Sequence, residues 1–169
     1  GVDPDAATGD GMTALHWAAE RDQPGVAAEL LEAGATVDPG TRIGGYTPLH
    51  LASRRGNVDM VRALLGSGAN VHAETTNSGV TALHLAAAAV DGAPSVRLLL
   101  GAGAEPDVKE GAFGQTPLMF AAASDRAESV RALLSAGADP AVSSAVFVTT
   151  VTDVLGFFVF LGLAAIILL

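Results

Sequence analysis

The chain contains no cysteine and little basic charge, and each shortage argues against a class of function. Without cysteine there can be neither disulfides nor thiolate metal sites. Nine Lys and Arg stand against eighteen Asp and Glu, which leaves a formal net charge of −9 at pH 7. The basic residues are dispersed along the chain and form no phosphate-tracking patch, so nucleic acid is not the expected partner.

Catalytic motifs are missing as well. The chain has no Gly-rich phosphate loop, no nucleophile elbow and no clustered His and carboxylate motif. We therefore predict that the protein is not an enzyme and needs no cofactor.

What the chain does contain is one short phrase repeated at a regular spacing. Its four occurrences are Thr13-Ala14-Leu15-His16, Thr47-Pro48-Leu49-His50, Thr81-Ala82-Leu83-His84 and Thr116-Pro117-Leu118-Met119. Successive threonines are 34, 34 and 35 residues apart, and a Gly-Ala pair follows each phrase in the same register, beginning at Gly34, Gly68, Gly103 and Gly137. Such a period indicates a solenoid of stacked units.

The second repeat shows how one unit is expected to fold. Thr47 can cap a helix whose first residue is Pro48, where the missing N–H costs nothing. Gly56 can end this helix in a left-handed conformation, and the apolar residues spaced from Val58 onward predict a second helix that ends at Gly68. Each unit is therefore predicted to be helix, turn, helix and hairpin loop.

These residues resemble the ankyrin repeat, whose pattern Gly-x-Thr-Pro-Leu-His, Ala-Ala, Gly, Val-x-x-Leu-Leu and Gly-Ala is met from Gly11 to Asp139. The resemblance implies an all-α solenoid of four helix-turn-helix-hairpin repeats, at about 8–40, 41–75, 76–110 and 111–142, in a domain spanning 1–142. Asp22 and Asp125 replace the turn glycine, which the left-handed region tolerates. The extra residue of the third repeat falls at 90–92.

The recurring histidines allow two interpretations. Fixed spacing can indicate metal ligands, but equivalent atoms of neighbouring repeats lie roughly 10 Å apart, far beyond metal bond lengths. The ankyrin resemblance implies instead that each histidine bonds the nearby threonine and the backbone of the following loop. We therefore predict structural roles for Thr13, His16, Thr47, His50, Thr81, His84 and Thr116.

The ankyrin resemblance also implies a concave surface, built from the hairpin loops and the exposed side of each first helix, that binds a protein partner. Carried over position by position, the predicted binding residues are Met12, Glu20, Ile43, Tyr46, Arg54, Val80, Phe113 and Gln115. Ile43, Tyr46 and Phe113 are either interaction hot spots or residues that fold over neighbouring loops.

Two further expectations concern the beginning of the chain. Trp17 occupies the position of Leu51, Leu85 and Phe120 in the other repeats, so we expect it in the core. The opening residues 1–5 read like the end of a repeat, and we therefore expect the array to begin before residue 1.

After the last repeat the composition changes. Residues 146–169 are mostly Val, Leu, Phe and Ile, and Asp153 is their only formal charge. As a helix they would reach roughly 36 Å, more than a hydrocarbon layer of about 30 Å. We therefore predict that 143–169 crosses a lipid bilayer once and leaves the repeats in the cytoplasm. The alternative, a cap on the open end of the stack, requires a polar outer face that this segment lacks.

Residues 139–169 also resemble the last transmembrane helix of the MgtE-type bacterial magnesium transporters, most closely from Asp139 to Phe158. The resemblance implies that Asp153 is a pore carboxylate and that Mg²⁺ is the transported ion. Because one helix has no pore, transport would require helix-helix association in the membrane. The sequence thus leaves three hypotheses: a membrane-anchored interaction scaffold, a magnesium transporter in oligomeric or fragmentary form, and a recombined reading frame.

Overall fold

Eight short helices build the part of the chain that the structure, a computed structural model, describes, which is residues 2–142. They are α1 (Ala14–Glu20), α2 (Pro24–Glu32), α3 (Pro48–Arg55), α4 (Val58–Gly66), α5 (Ala82–Ala88), α6 (Ala93–Gly101), α7 (Pro117–Ala123) and α8 (Ala127–Ser135). No strand occurs in this range, and one isolated antiparallel bridge joins Glu74 to Thr81. The all-α expectation is therefore confirmed for the repeats.

The helices form two layers. The first helices stack in the order α1, α3, α5 and α7, and the second helices stack as α2, α4, α6 and α8. The leucine of each repeated phrase is buried between them, at Leu15, Leu49, Leu83 and Leu118. These residues belong to one continuous hydrophobic cluster that runs through all four repeats, so each repeat depends on its neighbours for burial.

The turns follow the sequence signals. Gly56 ends α3 in the left-handed conformation, with φ of 74°. Asp22 and Asp125 take positive φ values of 52° and 57° at the matching turns, as expected for residues that replace glycine. In the third repeat Asp91 does so at 54°, because the extra residue at 90–92 lengthens the turn between α5 and α6.

The sequence predicts a membrane-spanning helix at residues 143–169. Among residues 2–142, no helix combines the length and the hydropathy that crossing a membrane requires. The predicted helix 143–169 and Asp153 lie outside the described residues.

Candidate functional site

One side chain closes each of the last three hairpin loops. Thr41 Oγ1 accepts a hydrogen bond from the Tyr46 N–H at 2.9 Å, and Thr75 Oγ1 accepts one from Val80 at 2.9 Å. In the fourth repeat, Glu110 Oε1 accepts from Gln115 at 3.0 Å. Sequence reasoning missed these residues, although each is a polar residue six positions before the capping threonine.

Glu110 organises its loop more extensively than the two threonines do. Its nearly buried carboxylate also accepts hydrogen bonds from the N–H groups of Ala112 and Phe113, both at 2.7 Å. Burial raises the pKa of Glu110, but the hydrogen bonds from Gln115, Ala112 and Phe113 outweigh it and leave the pKa below its ordinary value. The loop that carries Phe113 is thereby held around an ionised carboxylate.

Adjacent hairpins are joined by backbone hydrogen bonds. The carbonyl of Asp10 accepts from Arg42 N–H at 2.9 Å, and that of Gly44 accepts from Thr76 N–H at 2.9 Å. Ser78 and Gly111 form the third link, at 2.6 Å. The four hairpins therefore lie side by side and present one continuous surface.

Hydrogen bonds of the histidines connect each of the last three hairpins to the first helix of the preceding repeat. Nδ1 of His16, His50 and His84 accepts the backbone N–H of the capping threonine at 3.1 to 3.2 Å. On the other side of each ring, Nε2 lies 2.9 to 3.1 Å from the next repeat's loop carbonyl, at Tyr46, Val80 and Gln115. A backbone N–H can only donate, so Nδ1 carries no proton and Nε2–H is the donor.

This arrangement favours neutral rings. Burial lowers the pKa of His16, His50 and His84 below its ordinary value, and a proton on Nδ1 would face the threonine N–H. Metal binding finds no support, since residues 2–142 contain no cluster of three or more His, Cys, Asp or Glu arranged to hold an ion.

A groove of about 330 Å³ opens where the first two repeats meet. It lies between the first helices and the hairpins, and it is lined by Asp10, Met12, Trp17, Glu20, Thr41, Ile43, Tyr46, Leu51 and Arg54. Five of the eight predicted binding residues meet here: Met12, Glu20, Ile43, Tyr46 and Arg54. Phe113 and Gln115 lie two hairpins away, in the fourth repeat.

An ion-pair cluster includes two of the lining residues, Glu20 and Arg54. Arg54 Nη2 lies 3.0 Å from Glu20 Oε2, and Arg55 Nε donates to Glu20 Oε1 at 3.0 Å. Burial raises the pKa of Glu20, but its bonds to Arg55 and Arg54 outweigh burial and lower the pKa. The Arg54 guanidinium also lies 5.9 Å from the ring centroid of Tyr46, in the range of a cation-π contact.

The three apolar loop residues have different environments. Ile43 is 79 % exposed and Phe113 is 76 % exposed, so both are available to a partner. Tyr46 is half-buried against the core cluster, and its ring meets His50 edge-on at 6.0 Å. Tyr46 therefore contributes to packing as well as to the groove.

Two expectations about exposure are wrong. Val80, expected on the binding surface, is only 8 % exposed, and its N–H is bonded to Thr75 Oγ1 at 2.9 Å. Trp17, predicted in the core, is 42 % exposed. Among the described helices α1 contacts another first helix on one side only, and Leu85 and Phe120 at the matching position are also only partly buried. The single tryptophan at a leucine position was the signal for this.

Comparison with known families finds the family described as Ankyrin repeats, in three overlapping copies at residues 1–75, 41–110 and 68–144. A search of curated proteins finds no match.

Proposed function

Since this chain belongs to the ankyrin repeat family, we propose that it is a non-enzymatic interaction scaffold whose groove between the first two repeats binds a partner protein. Ankyrin repeats indicate a role in protein-protein interaction, and members of the family are generally interaction modules rather than enzymes. The location of the binding site within the stack is the finer proposal.

One observation supports the groove above the other surfaces. It brings the exposed parts of Trp17, Ile43 and Arg54 to one place, around a cavity of about 330 Å³. Tryptophan and arginine dominate the binding energy of measured interfaces, particularly when a pocket at the centre of the interface encloses them. Phe113 is equally exposed, but it is absent from the groove lining.

Partner capture with the full chain in nonionic detergent tests this proposal. We expect Ile43→Ser to weaken the captured complex by about tenfold or more, while the melting temperature stays nearly unchanged because Ile43 is exposed. Val26→Ser is the matched control, since Val26 is an exposed aliphatic residue on α2, in the other helix layer. Equal affinity in Ile43→Ser and Val26→Ser would contradict the proposed site.

We further propose that residues 146–169 anchor the scaffold in a membrane with the repeats in the cytoplasm. The support is the sequence. On insertion scales Asp153 costs about 2.5 to 3.5 kcal/mol at a helix centre, and each Val, Leu, Ile or Phe after it contributes about −0.3 to −0.6. Twelve such residues follow Asp153, so their sum exceeds the penalty.

Protease added to sealed inside-out vesicles tests the anchor. We expect digestion of the repeats and protection of a fragment near 146–169. Protected repeats would contradict this topology, and recovery of the intact chain in the aqueous fraction would contradict the anchor itself.

Magnesium transport stays a prediction from the sequence, because it depends on Asp153, outside the described residues. If the chain transports magnesium, vesicles that contain it should take up Mg²⁺, and Asp153→Asn should abolish that uptake. Equal uptake by the chain and by Asp153→Asn would contradict it.

A further inference from the structure

Basic charge is concentrated at the groove although the chain is acidic. Arg54 lines the groove, and Arg55 donates hydrogen bonds to the lining residue Glu20. The guanidinium of Arg21 lies 5.6 Å from the ring centroid of Trp17.

Among the described residues, the lining holds Asp10, Glu20 and Arg54, and Arg55 and Arg21 contact lining residues, so the local charge is +1. The rest of the chain holds six basic and sixteen acidic residues, a charge of −10. An acidic partner is therefore repelled by most of the molecule and attracted by this surface.

Arg54 is placed to meet a carboxylate. Within the described residues its guanidinium makes one hydrogen bond, from Nη2 to Glu20 at 3.0 Å, and its side chain is 48 % exposed. A guanidinium has five N–H donors in a fixed fork, so most of them face the groove and solvent. The ring of Tyr46 lies against one side of the group and limits its rotamers, which lowers the entropy lost on binding.

The interior of the groove is apolar. Trp17, Ile43 and Leu51 line it with indole and aliphatic surface, which favours a bulky apolar side chain. At the hairpin end, Asp10 accepts the N–H of Met12 at 3.2 Å and the hydroxyl of Thr8. Its charge is thus partly engaged, while Arg54 in the lining and Arg21 beside the Trp17 ring carry positive charge.

We propose that the groove binds an acidic, apolar segment of the partner, with a bulky apolar side chain on Trp17 and Ile43 and a neighbouring carboxylate on Arg54. This inference rests on the proposed function, because it specifies the chemistry of the partner at the same site. A basic segment would bring like charges together at Arg54, and a purely apolar one would cover the exposed guanidinium without a partner for it.

A random linear peptide library displayed on phage, selected against the full chain in nonionic detergent, tests the inference. We expect enriched peptides to combine a bulky apolar residue with an adjacent Asp or Glu. Arg54→Gln should lower their affinity about tenfold, and affinity should fall as salt rises from about 0.05 to about 0.5 M. The melting temperature should change little, because Glu20 retains Arg55.

Arg62→Gln is the matched control. Arg62 is an exposed arginine on α4, and Asp59, 4.0 Å away, is its ion-pair partner among the described residues. Enrichment of basic or uncharged peptides, no enrichment, or equal affinity in Arg54→Gln and Arg62→Gln would overturn the inference. The proposed function would still stand in each case if Ile43→Ser weakened the captured partner, so the two failures are distinguishable.

Discussion

At the scale of single residues, three buried histidines join helix start, capping threonine and neighbouring hairpin. Each ring uses both nitrogens: Nδ1 accepts from its own repeat, and Nε2–H donates to the next one. His16 reaches Tyr46, and His50 reaches Val80 across the same span of chain. The order of the hairpin surface therefore depends on neutral imidazoles.

Stability should consequently fall in mildly acidic solution. Burial lowers the pKa of His16, His50 and His84, so as pH falls the unfolded chain takes up these protons first. The stability that the neutral histidines contribute is fully present above about pH 6.5, the pKa in the unfolded chain. It is lost as the pH falls from there through the lower pKa values of the folded protein. The loss is at most about 1.4 kcal/mol per histidine for each pH unit.

Urea denaturation at about pH 7.5 and about pH 5.5 measures this loss. The lowered pKa of Glu110 belongs to a more acidic window, because a carboxylate protonates below about pH 4.5. His84→Gln should reduce the pH dependence, since glutamine at the third helical position retains the capping pattern with Thr81. A midpoint independent of pH in this interval would show that the histidines are not buried as neutral rings.

A second residue-scale prediction concerns Ser95 on α6. Its side chain is fully buried, and its Oγ has no hydrogen-bond partner among the described residues. Ser95→Ala removes an unsatisfied polar atom, so we expect the free energy of unfolding to rise by about 1 kcal/mol. Ser135→Ala is the control because its hydroxyl donates to Ala132 at 2.8 Å, and it should bring no gain. A lower free energy of unfolding in Ser95→Ala would contradict the prediction that the Ser95 hydroxyl is buried without a hydrogen-bond partner.

At the scale of elements, the lengthened turn between α5 and α6 depends on Gly92. A Cβ there would lie far inside contact distance of the Ala86 carbonyl oxygen, which is backbone and cannot turn away. We expect Gly92→Ala to destabilise the protein by about 1 to 3 kcal/mol. Gly25→Ala on α2 has no atom within 4 Å of its added methyl and should be neutral or slightly stabilising. Similar denaturation midpoints for the two variants would contradict the tight turn.

At the scale of the whole molecule, one core connects all four repeats. The cluster extends from Leu15 in the first repeat to Leu133 in the fourth. Nearest-neighbour contacts of this kind stabilise a stack without long-range closure. The repeats should therefore need nothing from the segment after residue 142.

A fragment of residues 1–142 tests this independence. We expect a helical far-ultraviolet spectrum and a cooperative melt that EDTA leaves unchanged, because the described core contains neither disulfide nor metal cluster. A spectrum without helix, or a melting temperature shifted by EDTA, would contradict the prediction.

The sequence by itself determined the repeat, because its signals act over short distances along the chain. Thr47 and Pro48 begin a helix and Gly56 ends it through their own backbone preferences, and Asp22 can replace glycine for the same reason. The histidine contacts followed the resemblance closely, since identical phrases in register place identical atoms together.

Only the tertiary structure decided which variable residues reach solvent. Val80 is buried although its position in the repeat predicted exposure, and Trp17 is exposed although its position predicted burial. Glu110 organises a loop, a role that its position did not predict. Burial at a hairpin depends on the size of the side chains that two neighbouring repeats bring to one place. A period of 34 residues aligns equivalent positions of neighbouring repeats. It does not determine how the side chains at those positions pack together, and this packing forms the groove.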